Sequence, residues 1–172
     1  QQDDNFIKEN NAKHLWHPMG HPADSLTNPP TVVVSAKDSS IIDMDGHVAI
    51  DAVGGLWCVN LGYSNTAVKD AIAKQVYELP YYSSFAGTTN GPAIEASLAV
   101  REMFEADGMS RVFFTSGGSD AVETSLRLAR QYHRLRGEPG RTKFISLKKG
   151  YHGTHFGGAS VNGNNRFRIN YE

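Results

Sequence analysis

The chain has 172 residues, 40% of them apolar and 20% charged, with a formal net charge of −1. That balance fits an ordinary globular protein, one domain or part of a larger one, with no basic face or block to engage nucleic acid or a membrane surface. Cys58 is the single cysteine, which rules out an internal disulfide and points to a reducing, cytoplasmic setting, while no apolar run reaches the length of a membrane span and Gln1 to Asn5 carry no signal-peptide pattern.

Residues 4–14 read as a short polar helix. His14, His17 and His21 follow at close spacing, so a metal site has to be weighed. Pro18 and Pro22 break any shared helical face, no cysteine is near and no H-E-x-x-H pattern occurs, so no metal is expected and the stretch reads as an irregular loop. Trp16 and Met19 are large and apolar for such a loop and should be covered by something.

From Thr31 the pattern changes to strands. Thr31 to Val34 is β-branched, Ser40 to Asp43 is a second run, and His47 to Asp51 a third. Asp45-Gly46 between the last two is a hairpin signal, so the three form a small antiparallel meander that must pack on other material. Glycines then alternate with bulky groups from Asp51 to Tyr63. Flexible backbone beside Trp57 suits a pocket wall, and equally a packed connecting loop. Ser64-Asn65 precedes a helix from Thr66 to Leu79, with Val68, Ile72, Val76 and Leu79 on its apolar side and Pro80 ending it. Tyr81, Tyr82 and Phe85 make an aromatic loop, a core edge or an interface. Pro92, read as the first helical residue, opens another helix that ends near Asp107-Gly108.

The stretch from Arg111 to Arg136 organises what remains. Val112, Phe113 and Phe114 read as a short buried strand. Thr115 to Asp120 is a tight turn with two adjacent glycines. Val122, Leu126, Ala129 and His133 then recur at helical spacing, and Gly137 stands where that helix should stop. A helix start leaves N–H groups unpaired and carries partial positive charge, so Gly117, Gly118 and Ser119 form a candidate anion site. The plainer alternative is that Ser119 or Asp120 merely caps the helix. Lys143 to Leu147 reads as a second strand. Strand, helix and strand over this length predict a βαβ unit with parallel strands and a right-handed crossover. Ligands in such sheets sit at the carboxyl ends of strands, so the loop Lys148 to Ala159, with Tyr151 between glycines, should share a rim with Ser119.

No G-x-x-x-x-G-K-[ST] occurs, and no G-x-G-x-x-G with a downstream ribose-binding acid, so neither a P-loop nor a dinucleotide site is expected. One phosphate and one flat ring remain as the ligand description, and pyridoxal 5'-phosphate (PLP) matches it.

The residues also carry a family resemblance. Phe114-Thr115-Ser116-Gly117-Gly118-Ser119-Asp120-Ala121-Val122-Glu123, followed by Gly150-Tyr151-His152-Gly153, resembles the class III aminotransferases, PLP enzymes of fold type I. Asp51 to Gly62 resembles the omega-amino acid:pyruvate transaminase branch. The likeness runs from about His14 onward. It departs where Gly117 replaces a common Ser and Asp120 a common Glu, both keeping size or charge class.

The resemblance implies an α/β fold, the small antiparallel meander plus the start of a large, mostly parallel-sheet domain. Residues 1–62 would belong to the small domain and 63–172 to the beginning of the PLP-binding domain. Gly118 and Ser119 would hold the cofactor phosphate and Tyr151 would stack on its ring. Leu56 and Trp57 would line the substrate pocket, with Met19 at its entrance. Phe85 would reach the neighbouring subunit's site, implying a homodimer with shared active sites. Family members are more than twice this length, so the chain is expected to be an N-terminal portion, and the catalytic lysine is expected downstream of Glu172. The expected activity is ping-pong transamination of an omega-amino acid or amine with pyruvate or a similar keto acid. Rival expectations are an ornithine-type aminotransferase, an aminomutase, a dialkylglycine-type decarboxylase, or a non-catalytic phosphate-binding fragment.

Overall fold

A hairpin needs a turn that twists with its strands, and Asp45-Gly46 supplies one. Gly46 takes a φ of 83°, and the Asp43 carboxylate accepts from the N–H groups of Asp45 and His47, both at 2.9 Å. This turn joins the last two strands of the meander in a computed structural model that describes residues 4–169. The chain forms two compact units that divide between Ser83 and Ser84.

The first unit holds α1 (Asp4–His14), α2 (Pro22–Thr27), β1 (Val33–Lys37), β2 (Ser40–Asp43), β3 (Val48–Ile50), the short α3 (Gly54–Trp57) and α4 (Thr66–Glu78). The strands form an antiparallel sheet in the order β1-β2-β3, with Lys37 opposite Ser40 and Ile42 opposite Val48. β1 starts two residues later than the sequence suggests and runs on to Lys37. The tight turn at Asp38 and Ser39 sets that register, and the ladder slips between Val33 and Ser35. Lys8 of α1 pairs with Asp45 at 2.5 Å, which ties the helix to the hairpin. α4 begins as expected, because the Asn65 side chain accepts from Val68 N–H at 3.1 Å and caps the first turn.

The second unit holds α5 (Gly91–Met103), a 3-10 turn at Glu105–Asp107, α6 (Gly118–Leu135), α7 (Phe156–Ser160) and a 3-10 turn at Asn165–Phe167. α5 starts one residue before Pro92. Asn90 caps it by accepting from Ala93 N–H at 3.0 Å, so the proline occupies the second helical position.

Two expected strands are absent. Neither 112–114 nor 143–147 joins a sheet among the described residues, and the parallel pair with its crossover does not form. A strand exists only against a hydrogen-bonded partner, and strands of a parallel sheet need cover on both faces. Neither is provided here: Ile145 is 100% exposed. Large apolar side chains in both units show the same shortage of cover, with Trp57 78% and Phe85 96% exposed. Packing concentrates instead around residues 150–163. There Ala159 is the one buried apolar side chain among the described residues, and Asn162 has no exposed surface.

Candidate functional site

The turn before α6 is held by its own side chains. Thr115 Oγ1 donates to Gly117 O at 3.1 Å, and the Asp120 carboxylate accepts from Ser116 N–H at 3.2 Å and Ser116 Oγ at 3.1 Å. The helix cap is Gly117, with φ 176° and no side-chain hydrogen bond. Neither Ser119 nor Asp120 caps the helix, because both lie inside its first turn. Among the described residues the N–H groups of Gly118, Ser119 and Asp120 have no acceptor. Space is open beside Gly117 and Gly118, where an added Cβ would meet nothing within 4 Å. Unpaired N–H groups, the helix dipole and open approach make this end a fit for a phosphate monoester.

The loop after residue 147 packs against the same end of α6. Thr154 N–H donates to Ser119 Oγ at 3.1 Å. One helical turn further on, Gly158 N–H donates to Glu123 Oε2 at 3.2 Å. Gly153 lies so close to Ser119 that a Cβ there would fall 2.6 Å from Oγ, and its φ of 98° already favours glycine. Asn162 fastens the loop from within. Its Oδ1 accepts from His152 N–H at 2.5 Å and its Nδ2 donates to Gly153 O at 3.0 Å. Both ends of a buried amide are thereby satisfied.

Tyr151 immediately precedes that fastened peptide. Its ring meets Phe167 edge to face at 5.1 Å and stays 55% exposed. Three predicted site residues, Gly118, Ser119 and Tyr151, thus belong to one loop–helix assembly in the second unit. Phe85 lies in that unit too, 96% exposed. Met19, Leu56 and Trp57 belong to the first unit. Met19 sits in a turn closed by Trp16 Nε1 donating to Gly20 O at 3.1 Å. Leu56 and Trp57 lie in α3, a single turn whose residues all take positive φ, and Trp57 is 78% exposed.

Sequence reasoning missed Glu123, Thr154 and Asn162. Glu123 had one available signal, its i, i+4 spacing from Ser119 on one helix face. Asn162 had none, because a lone Asn before Gly163 reads as a turn. Among the described residues the one cluster with metal-ligand spacing is Asp43, Asp45 and His47 at the hairpin, not the early histidines. Its groups serve the fold: Asp43 holds the turn and also meets His47 Nδ1 at 3.0 Å, and Asp45 pairs with Lys8.

The chain is similar to known proteins in sequence and in backbone. An amine transaminase from an uncultivated Pseudomonas species, in PLP-bound form, matches with a TM-score of 0.86 at 46% identity, over 92% of this chain and 36% of that one. The diaminobutyrate–2-oxoglutarate transaminase of Halomonas elongata is 38% identical over 166 residues, 95% of this chain and 35% of that protein. The putrescine–pyruvate aminotransferase of Pseudomonas aeruginosa is 37% identical over 132 residues, 77% of this chain and 29% of that protein. The chain therefore spans about a third of the length of these relatives. A family model for class-III aminotransferases matches residues 22–171. With that match laid over the uncapped start of α6 and the glycine-flanked Tyr151, the chain belongs to the class-III aminotransferase family.

Proposed function

We propose that this chain is the N-terminal part of a PLP-dependent aminotransferase. In this reading the enzyme moves an amino group from an omega-amino acid or simple amine to pyruvate or a similar keto acid, in two half-reactions. The observation that carries the reading is the uncapped first turn of α6 with the Tyr151 loop bound to its Ser119. When bound, PLP supplies the electron sink for the carbon that loses its proton.

The chain's own residues bind and select. Gly118 and Ser119 offer N–H groups, and Ser119 its hydroxyl proton, to the phosphate. Tyr151 covers one flat face. Leu56, Trp57 and Met19 bound the amine, and Phe85 reaches the neighbouring subunit's site in a homodimer with shared active sites. No residue of this chain is assigned the proton transfer. Residues 1–62 belong to the small domain in this reading, and 63–172 begin the large PLP-binding domain. The enzyme is placed in the cytoplasm, in keeping with its single free Cys58. No helix among the described residues is long and apolar enough to cross a membrane.

Two relatives differ in acceptor by their names, pyruvate for one and 2-oxoglutarate for the other. The test therefore uses both. Protein from the complete reading frame is loaded with PLP and mixed with putrescine, 4-aminobutyrate or a simple arylalkyl amine such as benzylamine, without acceptor. A shift of the cofactor absorbance with one equivalent of carbonyl product, reversed by a keto acid, supports transamination. Carbon dioxide release from an added 2,2-dialkylglycine would instead indicate a decarboxylase. No PLP uptake, or no response to any amine, overturns the reading.

A further inference from the structure

Leu56 and Trp57 stand on strained backbone. Gly54, Gly55, Leu56 and Trp57 take φ values of 57°, 61°, 63° and 69° in succession. Glycine enters that region freely, whereas a residue with a Cβ does so at a cost. Such strain persists only where the surroundings over-determine it, and it gathers at functional sites.

Asp51 supplies the restraint. Its Oδ2 accepts from Gly55 N–H at 2.7 Å and from the Tyr63 hydroxyl at 2.5 Å, and its Oδ1 accepts from Val53 N–H at 3.2 Å. Both ends of the loop are tied to the β1–β2 turn. Asp51 N–H donates to Ser39 O, and Tyr63 N–H to Asp38 O, each at 2.8 Å. Inside the loop, Cys58 Sγ donates to Gly55 O at 2.8 Å, and a Cβ on Gly55 would fall 2.5 Å from Val59 Cγ2. One carboxylate thus gathers three donors across the strained residues. The Tyr63 hydroxyl and then Gly55 N–H hold that carboxyl below its ordinary range, so it stays charged and able to accept them.

We infer that Asp51, bridged to Tyr63, is a positioning residue that selects among amines by fixing the Leu56–Trp57 turn. The inference rests on the assignment of Leu56 and Trp57 to the amine pocket. A merely structural staple would lower stability and slow every amine alike. A positioning residue changes the ratio between amines.

The experiment uses the PLP-loaded protein from its complete reading frame, with Asp51→Asn, Tyr63→Phe and, as a reference, Trp57→Ala. Hydrogen exchange by mass spectrometry over residues 51–63 reads the turn without reference to activity. The ratio of kcat/KM for a small and a bulky amine reads selectivity. Asp51→Asn is expected to speed exchange of that peptide by about tenfold. It should also move the amine ratio in the same direction as Trp57→Ala, with PLP affinity unchanged. Tyr63→Phe, which deletes one oxygen, should do the same to a smaller degree, and it carries the test if Asp51→Asn does not accumulate. Unchanged exchange overturns the inference, as does faster exchange with an unmoved ratio while Trp57→Ala moves it. If Trp57→Ala itself leaves the ratio unmoved, the pocket assignment fails and takes the inference with it.

Discussion

The backbone N–H of Thr154 donates to the Oγ of Ser119 at 3.1 Å, across a sequence separation of 35. Under the proposed function, one hydroxyl therefore has two duties. As acceptor it fastens the loop behind Tyr151, and its own proton remains to donate to an anion at the helix start. Ser119→Ala removes both. We expect PLP affinity to fall by about tenfold, and stability by about 1 kcal/mol. Titration of the apoenzyme by cofactor absorbance and a thermal melt measure the two. An unchanged PLP affinity would remove Ser119 from the phosphate site.

Gly153→Ala should be worse than any change of polarity nearby. The new Cβ would lie 2.6 Å from Ser119 Oγ and 2.7 Å from Ser119 Cα, on backbone at φ 98°. One contact is with the helix backbone, which cannot swing away. We expect a loss of about 2–3 kcal/mol or more, read as a fall in melting temperature. Gly140→Ala is the control, because its Cβ would meet nothing within 4 Å. It should be close to neutral.

Asn162→Ala leaves the half-buried His152 N–H and the buried Gly153 O without partners. Each orphan costs about 1–3 kcal/mol, so a loss of roughly 2–5 kcal/mol is expected in chemical denaturation. Asn162→Asp keeps an acceptor for His152 but gives up the donor to Gly153. It should rank between the wild type and Asn162→Ala only if the new carboxyl is protonated. Melts at acidic and neutral pH therefore separate the two cases, and equal melts would argue against the buried amide as a staple.

The Asp51–Tyr63 hydrogen bond predicts a pH window. Tyr63 is the leading cause that lowers the Asp51 carboxyl from 3.8, and Asp51 the leading cause that raises the Tyr63 hydroxyl from 10.0. A lowered acid contributes stability above its unfolded value, and the contribution fades as pH falls through the folded value. A raised tyrosine contributes below its unfolded value, and loses it as pH rises through the folded one. The stability difference between wild type and Tyr63→Phe should thus be level from about pH 5 to about pH 9 and shrink at both ends. Denaturation midpoints across pH check it; a difference that grows in acid would contradict the bond.

Much of this architecture was legible where the signal is local. Asn65 and the apolar spacing of Val68, Ile72 and Val76 announced α4, and Asp45-Gly46 announced its hairpin. The glycines before Ser119 marked the helix start that stands uncapped. The segments around Phe113 and Ile145 misled because composition records a liking for strands, while a strand also requires a neighbour. Asn162 and Asp51 were invisible for a different reason. An isolated Asn or Asp is ordinary in sequence, and its importance comes from which distant backbone groups converge on it.

The loop that begins at Asp51 and closes at Tyr63 has both feet on adjacent residues, Ser39 and Asp38. Its ends are therefore pinned, and inserting or deleting a residue between Asp51 and Gly55 would carry the Gly55 N–H away from the Asp51 carboxylate. Related enzymes that handle larger or smaller amines would then be expected to diversify here by exchanging side chains at a constant loop length.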